Sequence, residues 1–385
     1  MEKFFKINRL FSAVLMLALI FTGCGPLDEE DEVVLDLDGT IFNDTDKSDD
    51  DETEGDELIV AFIFDGAIND GGYSQMHDQG RQEVEKMKGV KTIYKENVSD
   101  DPEQVEEVCE EFIKDGATVI YGTSFGYMDG MYSSAGKHKD VKFIHCSGYK
   151  TLDNMSTYFG KIYQMRYLTG IAAGSVTKSN KIGYIAAFPI PEVIRGINAF
   201  TLGVQKVNPD AVVEVLWTST WNDYELEKAM AQKLIDGGAD IIAQHQNTTG
   251  PQVAAQENNV YSVGYNRDMS YENENQITAA IWNWGIYYTE CTQRILDGKW
   301  KTDSEWLSAS SGLVDIAPVS DAVSSDVKAL IEDEKTKILN GDDKIFAGPI
   351  YNQADELVVK DGEQLSDEEL SSMMWFIKGV DGKIE

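Results

Sequence analysis

"FIKDGATVIYGTS" (residues 112–124) and "LIDGGADIIAQHQ" (residues 234–246) read as two copies of one unit. Each carries the end of a helix, a Gly that stops it, an Ala, and a short apolar run suited to a strand buried on both faces. A βα unit that returns at this distance predicts two similar α/β lobes, not one long sheet.

Working outward, the pattern goes on alternating. "LIVAFIF" (58–64) is a buried-strand run. "DPEQVEEVCEEFIKDGA" (101–117) sets Val105, Val108, Cys109, Phe112 and Ile113 at helical spacing, with Ser99 or Asp100 as cap, Pro102 in the first turn and Gly116 at the stop. Further strands are predicted at 118–124, 141–148, 181–188, 211–217 and 260–266. Ligands of open α/β sheets bind at the carboxyl ends of strands, so function is sought in the turns that follow these runs.

Composition narrows the options. The 385 residues include 67 acidic and 33 basic, a formal net charge of −34, which disfavours nucleic acid and anionic surfaces as partners. Residues 28–57 alone carry sixteen Asp or Glu against one Lys, and 24–57 reads as a solvated, disordered tether. Residues 1–23 resemble a lipoprotein signal peptide: Lys3, Lys6 and Arg9 precede an apolar stretch too short to span a bilayer comfortably, and "FTGC" ends at Cys24, the expected lipidation site. The expected location is extracytoplasmic, anchored to the cell membrane. Cys109, Cys146 and Cys291 form neither a metal pattern nor a disulfide framework and are expected as buried thiols.

Catalytic signatures fail on their surroundings. "VVLDLDGTIFND" (33–44) has the Asp-x-Asp-Gly-Thr form of a phosphatase nucleophile strand, but the residues after Asn43 read "DTDKSDDDETEGDE", which cannot pack back onto a sheet. Asp36 and Asp38 are therefore tether. His77, His138, His145 and His245 show no metal-ligand spacing, no nucleophile elbow or phosphate loop occurs, and neither an enzyme nor a metal or other cofactor is expected. His77 is expected on a helix after a Gly turn, in a structural role.

Aromatic and amide residues at strand ends stand out instead. Tyr73 follows "DGAINDGG", Phe125 follows 118–124, Phe188 follows 181–187, Trp217 and Trp221 follow 211–216, and Trp282 follows "ITAAI". Such a set suits a flat ring held by its faces, with Asn, Gln and Asp reading its edge.

At "DGGYSQMHDQGR" (70–81), "TSFGYMD" (123–129), 190–223, "IFAGPIYNQ" (345–353) and 365–384 the sequence resembles the basic membrane protein family of solute-binding lipoproteins, which serve ABC importers and include purine nucleoside receptors. The resemblance implies a type I periplasmic-binding-protein fold, α/β, with two Rossmann-like lobes joined by a three-segment hinge. The lobes are expected at 58–160 plus 284–310 and at 161–283 plus 311–360, with 361–385 packed on them. It further implies a purine ligand, an ABC permease with its ATPase, and a monomer. Tyr73 takes the place of the stacking aromatic, Phe188 is expected as its partner, and Asn69 and Asp70 as edge readers. Phe64, Ser124, Phe125, Glu192, Trp217, Asn247, Asn266, Asp268 and Trp282 complete the expected ligand set.

On the sugar side the chain departs from the nucleoside receptors. "GYNRD" (264–268) has Asn at the first acidic position, and "AIWN" (280–283) lacks the Lys. Each lost charge-assisted bond is worth roughly 1.5–3 kcal/mol, which favours a free nucleobase such as adenine or hypoxanthine. A nucleoside, a riboflavin-like ring, or a sensor role without transport are the alternatives.

Overall fold

In the computed structural model, which describes residues 57–384, the apolar run Leu58–Ile63 (β1) lies inside a parallel sheet, with Val60, Ala61, Phe62 and Ile63 fully buried. Around it come Tyr73–Glu85 (α1), Val90–Lys95 (β2), Pro102–Lys114 (α2), Val119–Gly122 (β3), Met128–Lys137 (α3), Lys142–Cys146 (β4) and Met155–Gly160 (β5). The chain then builds a second sheet from Tyr163–Val176 (α4), Lys181–Ala186 (β6), Pro191–Val207 (α5), Val212–Trp217 (β7), Tyr224–Asp236 (α6), Ile241–His245 (β8), Gly250–Glu257 (α7), Tyr261–Asn266 (β9) and Gln276–Trp282 (β10). Trp284–Leu296 (α8) and Ser304–Leu307 (β11) return to the first sheet; Val314–Ile316 (β12) and Ser325–Leu339 (α9) go back to the second. Ile350–Tyr351 (β13) and Leu357–Val359 (β14) form a ribbon, Asp367–Ser371 (α10) follows, and Val380–Asp381 (β15) closes the second sheet against β7.

The strand orders are β11-β5-β4-β3-β1-β2 and β12-β10-β9-β8-β6-β7-β15. The cores 5-4-3-1-2 and 10-9-8-6-7 are the same order, and within these two sheets every pairing but β10–β12 is parallel. The repeated segments thus become β3 and β8, in equivalent places. Because each sheet is buried on both faces, its runs need no polar alternation. The chain passes between the sheets three times, after β5, after β10 and after β11.

One local expectation is corrected. α2 is capped by Asp101, whose carboxylate accepts the N–H groups of Glu103 and Gln104, and not by Ser99 or Asp100. Ser99 is taken by the Gln104 side chain, and Asp100 accepts the Ser124 hydroxyl. The helix stops at Gly116, which adopts φ +92°. Cys109, Cys146 and Cys291 are free and buried. The expected signal peptide, Cys24, Asp36, Asp38 and the expected tether fall outside the described residues, apart from Glu57.

Candidate functional site

The carboxyl ends of the two sheets face each other across a narrow slot. One wall carries Asp65, Tyr73, Ser124, Phe125 and Ser147; the other carries Glu192, Trp221, His245, Asn247 and Tyr265. The walls are nearly shut, leaving about 20 Å³, room for roughly one water.

The turn after β1 fixes Tyr73. Gly71 takes φ +77°, and the Asp70 carboxylate accepts the N–H groups of Gly72, Ser74 and Gln75, capping α1 from just outside it. The Tyr73 hydroxyl donates to the Thr123 carbonyl at 2.6 Å. Behind the ring, His77 meets it edge-on at 4.3 Å and stacks on Trp284 at 4.2 Å, and Trp284 stacks on Trp282 at 4.2 Å. Burial drives the His77 pKa well down, so the ring is neutral, and its Nδ1 sits 2.6 Å from the Tyr288 hydroxyl. A column of four aromatic side chains therefore holds one face of the slot.

Polar groups line the slot's edge. Asp65 accepts from the Ser74 hydroxyl at 3.1 Å and, across the slot, from the Asn247 amide at 2.9 Å. Burial, then the charges of Asp70 and Asp100, push its pKa up to about 7. Glu192, in the first turn of α5, lies 3.4 Å from His245 Nε2. Burial lowers His245 to about 4, and the Tyr265 hydroxyl is 3.3 Å from the same nitrogen. Beneath them the buried Arg166 guanidinium lies 3.7 Å over the Tyr265 ring and donates to the Gln244 carbonyl.

Backbone contacts also join the walls. Tyr73 N–H donates to the Asn247 carbonyl at 3.2 Å, and Arg267 Nη1 donates to the Gly71 carbonyl at 3.2 Å. A Cβ on Gly72 would stand 1.8 Å from the Asn247 oxygen, so this approach requires glycine.

Of the residues expected from sequence, Tyr73, Ser124, Phe125, Glu192 and Asn247 come together in the slot. Phe188 does not line it; it packs against Trp221 at 5.3 Å, at the mouth beside Asp100 and Asn222. Asn69 is exposed on the turn, and Asp70 is committed to the backbone of α1. Phe64 is fully buried against Phe62 and Tyr94. Trp217 faces the C-terminal segment, stacking on Phe376 and donating to the Lys383 carbonyl. Asn266 is fully buried with its amide on the Gln246 carbonyl, and Asp268 accepts from Gln276 and Ser270. Trp282 is fully buried, its N–H toward the Tyr265 hydroxyl at 3.3 Å. Asp65, Ser147, His245 and Tyr265 were absent from the expected ligand set, although each stands at or just after a strand end; Trp221 is among the strand-end aromatics of the sequence but outside that set. No cluster of His, Cys, Asp and Glu able to hold a metal occurs among the described residues.

Comparison with known proteins gives a consistent picture. Residues 58–347 match the family described as ABC transporter substrate-binding protein, PnrA-like. The chain is 39% identical over 331 residues to a purine-binding protein of Brucella abortus, covering 85% of this chain and 94% of that one. It is 37% identical over 335 residues to a Haloferax volcanii ABC transporter protein named for glucose binding, covering 86% and 82%. Among solved structures, a solute-binding protein from Aeropyrum pernix superposes with a TM-score of 0.67 at 17% identity, covering 82% of this chain and 96% of that one. One from Conexibacter woesei gives 0.60 at 21%, covering 74% and 97%. The fold is the α/β type I periplasmic-binding-protein fold.

Proposed function

The chain belongs to the PnrA-like family of ABC transporter substrate-binding proteins, which are not enzymes, and from that premise we propose that its ligand is a purine. The observation that carries this reading is the slot: Tyr73 on one wall, Trp221 and Phe125 about it, and carboxylate and amide groups at its edge. A planar heterocycle enters between Tyr73 and Trp221 and takes over the donors and acceptors that Asp65 and Asn247 now give each other. Trp221 replaces Phe188 in the role of second ring. The Brucella abortus relative's name supports the ligand class.

A free nucleobase is favoured over a nucleoside. Asn266 and Trp282, at the positions where the resembled receptors hold ribose, are fully buried, and their side-chain N–H groups are already bonded within the protein. Binding shifts the lobes toward the shut form, which the permease distinguishes from the open one. Anchoring through Cys24 outside the cell membrane completes the proposal.

Denaturing the purified protein and identifying released small molecules by mass spectrometry tests the ligand class. A purine supports the reading. Release of a hexose would instead favour sugar binding, the reading that the Haloferax volcanii relative's name supports.

A further inference from the structure

The slot opens sideways into a much larger chamber of about 280 Å³, with which it shares Phe125, Ser147 and Glu192. The chamber lies between the β5 and β11 side of the first sheet and the start of α5. We infer that this chamber is a second subsite, which takes a short, uncharged, hydroxyl-bearing substituent carried by the ring that the slot holds, at a position other than the one that bears the sugar in a nucleoside. The inference rests on the purine reading above.

Chemistry selects the substituent. Arg195, 5% exposed, donates through Nη1 to the Leu370 carbonyl, while its Nε has no partner among the described residues. Its guanidinium lies 4.6 Å over the ring of Trp306, whose own N–H is likewise unpartnered. Other charges near the chamber are spoken for: Lys161 pairs with Asp367, and Arg294 holds Glu305 through two nitrogens. That leaves a donor, Arg195, and an acceptor, Glu192, in one wall. A hydroxyl both accepts and donates, so it satisfies the two together. A phosphate or carboxylate would meet the Glu192 carboxylate in a partly buried site, and a purely apolar group would leave Arg195 Nε without water or partner. The flank at Asn266 and Trp282 is filled, and of the two spaces that adjoin the slot, about 220 Å³ at the mouth beside Asp65 and Trp221 and about 280 Å³ here, this chamber is the one that carries Arg195 and Glu192.

Calorimetry on the mature chain with adenine, N6-(2-hydroxyethyl)adenine and N6-propyladenine tests the inference. The hydroxyethyl compound should bind about tenfold more tightly than adenine, and the propyl compound should show less of that gain. Ser304→Trp, on the exposed face of β11 at the chamber, should abolish the gain and leave adenine binding unchanged. An equal gain in wild type and Ser304→Trp, or weaker binding of the hydroxyethyl compound than of adenine in wild type, overturns the inference alone. Failure of adenine and all other purines to bind overturns the purine reading and this inference with it. Should Ser304→Trp fail to fold, a crystal structure of the wild-type complex decides. The substituent oxygen within hydrogen-bonding reach of Glu192 and Arg195 supports the subsite, and a substituent turned toward Trp282 refutes it.

Discussion

β3 and β8 grow from near-copies of one sequence and take equivalent places, each beside the first strand of its sheet. Beyond the strands the copies diverge. After β3 the chain turns at once through Ser124 and Phe125, and its wall is held by contacts to backbone carbonyls: Tyr73 on Thr123, and His145 on Ser124. After β8, which ends at His245, the chain runs through Gln246, Asn247 and Thr248, and a buried carboxyl group organises it. Glu227 of α6 accepts from the Thr248 hydroxyl at 2.6 Å, the Thr248 N–H and the Asp223 N–H. Shared apolar runs give both walls the same scaffold, and unlike turns give them different chemistry. One wall supplies a braced ring and a carboxylate. The other supplies amide, imidazole and indole beside the Glu192 carboxylate and the Tyr265 phenol.

Forcing the two walls apart should have the largest effect. Gly72→Ala places a methyl against the Asn247 carbonyl, so the shut form is denied. Ligand affinity should fall on the order of a hundredfold with the unfolding temperature little changed, and small-angle scattering should show no compaction on ligand addition. Unaltered affinity would mean that the walls need not meet.

Removing one ring from the second wall should cost less. Trp221→Ala should weaken binding by roughly 1–3 kcal/mol, the range for a base stacked on an aromatic. Phe188→Ala, behind Trp221 at the mouth, should change it by less than about threefold. The reverse ranking in a titration would return Phe188 to the stacking role and displace Trp221.

The smallest effect separates the walls by pH. Burial pushes Glu227 up to about 8 from an ordinary 4.5, so the folded protein holds a proton there that the unfolded chain releases. Stability from this group is present below about 4.5 and is lost as pH rises through 8. Asp65, raised to about 7, acts in the same sense from the other wall. Glu227→Gln should therefore flatten the decline in unfolding temperature between pH 6 and pH 9, by about a few degrees. An unchanged slope would show that Glu227 is ionised throughout.

Much of the scaffold is legible because buried parallel strands are continuous apolar runs between Gly stops. β2 and β5 escape that reading: "VKTIYK" is an edge strand with exposed polar positions, and "MSTYFG" buries Ser and Thr among its apolar residues. In the slot, Tyr73, Ser124, Phe125, Glu192 and Asn247 are readable from their places just after strands. Trp217 misleads because its cover, Phe376 and Lys383, arrives from the far end of the chain. Trp282 misleads because Trp-Asn-Trp-Gly reads as exposed aromatics, whereas the two indoles stack in the interior behind Tyr73. Asp65 adjoins an apolar run and looks like its polar end. Only the approach of Asn247 from the other sheet gives it a place in the slot.

The central claim is that the slot binds a purine ring by its faces and edge. Isothermal titration of the ligand-stripped protein with adenine, hypoxanthine, inosine and guanosine tests it most directly. The account predicts one-to-one binding of at least one base at micromolar affinity or tighter, on the order of −8 kcal/mol, weakened by roughly 1–3 kcal/mol on Trp221→Ala. No heat from either base, with tight binding of inosine or guanosine, would contradict the nucleobase reading. No heat from any of the four, with binding of a sugar, would contradict the purine claim itself.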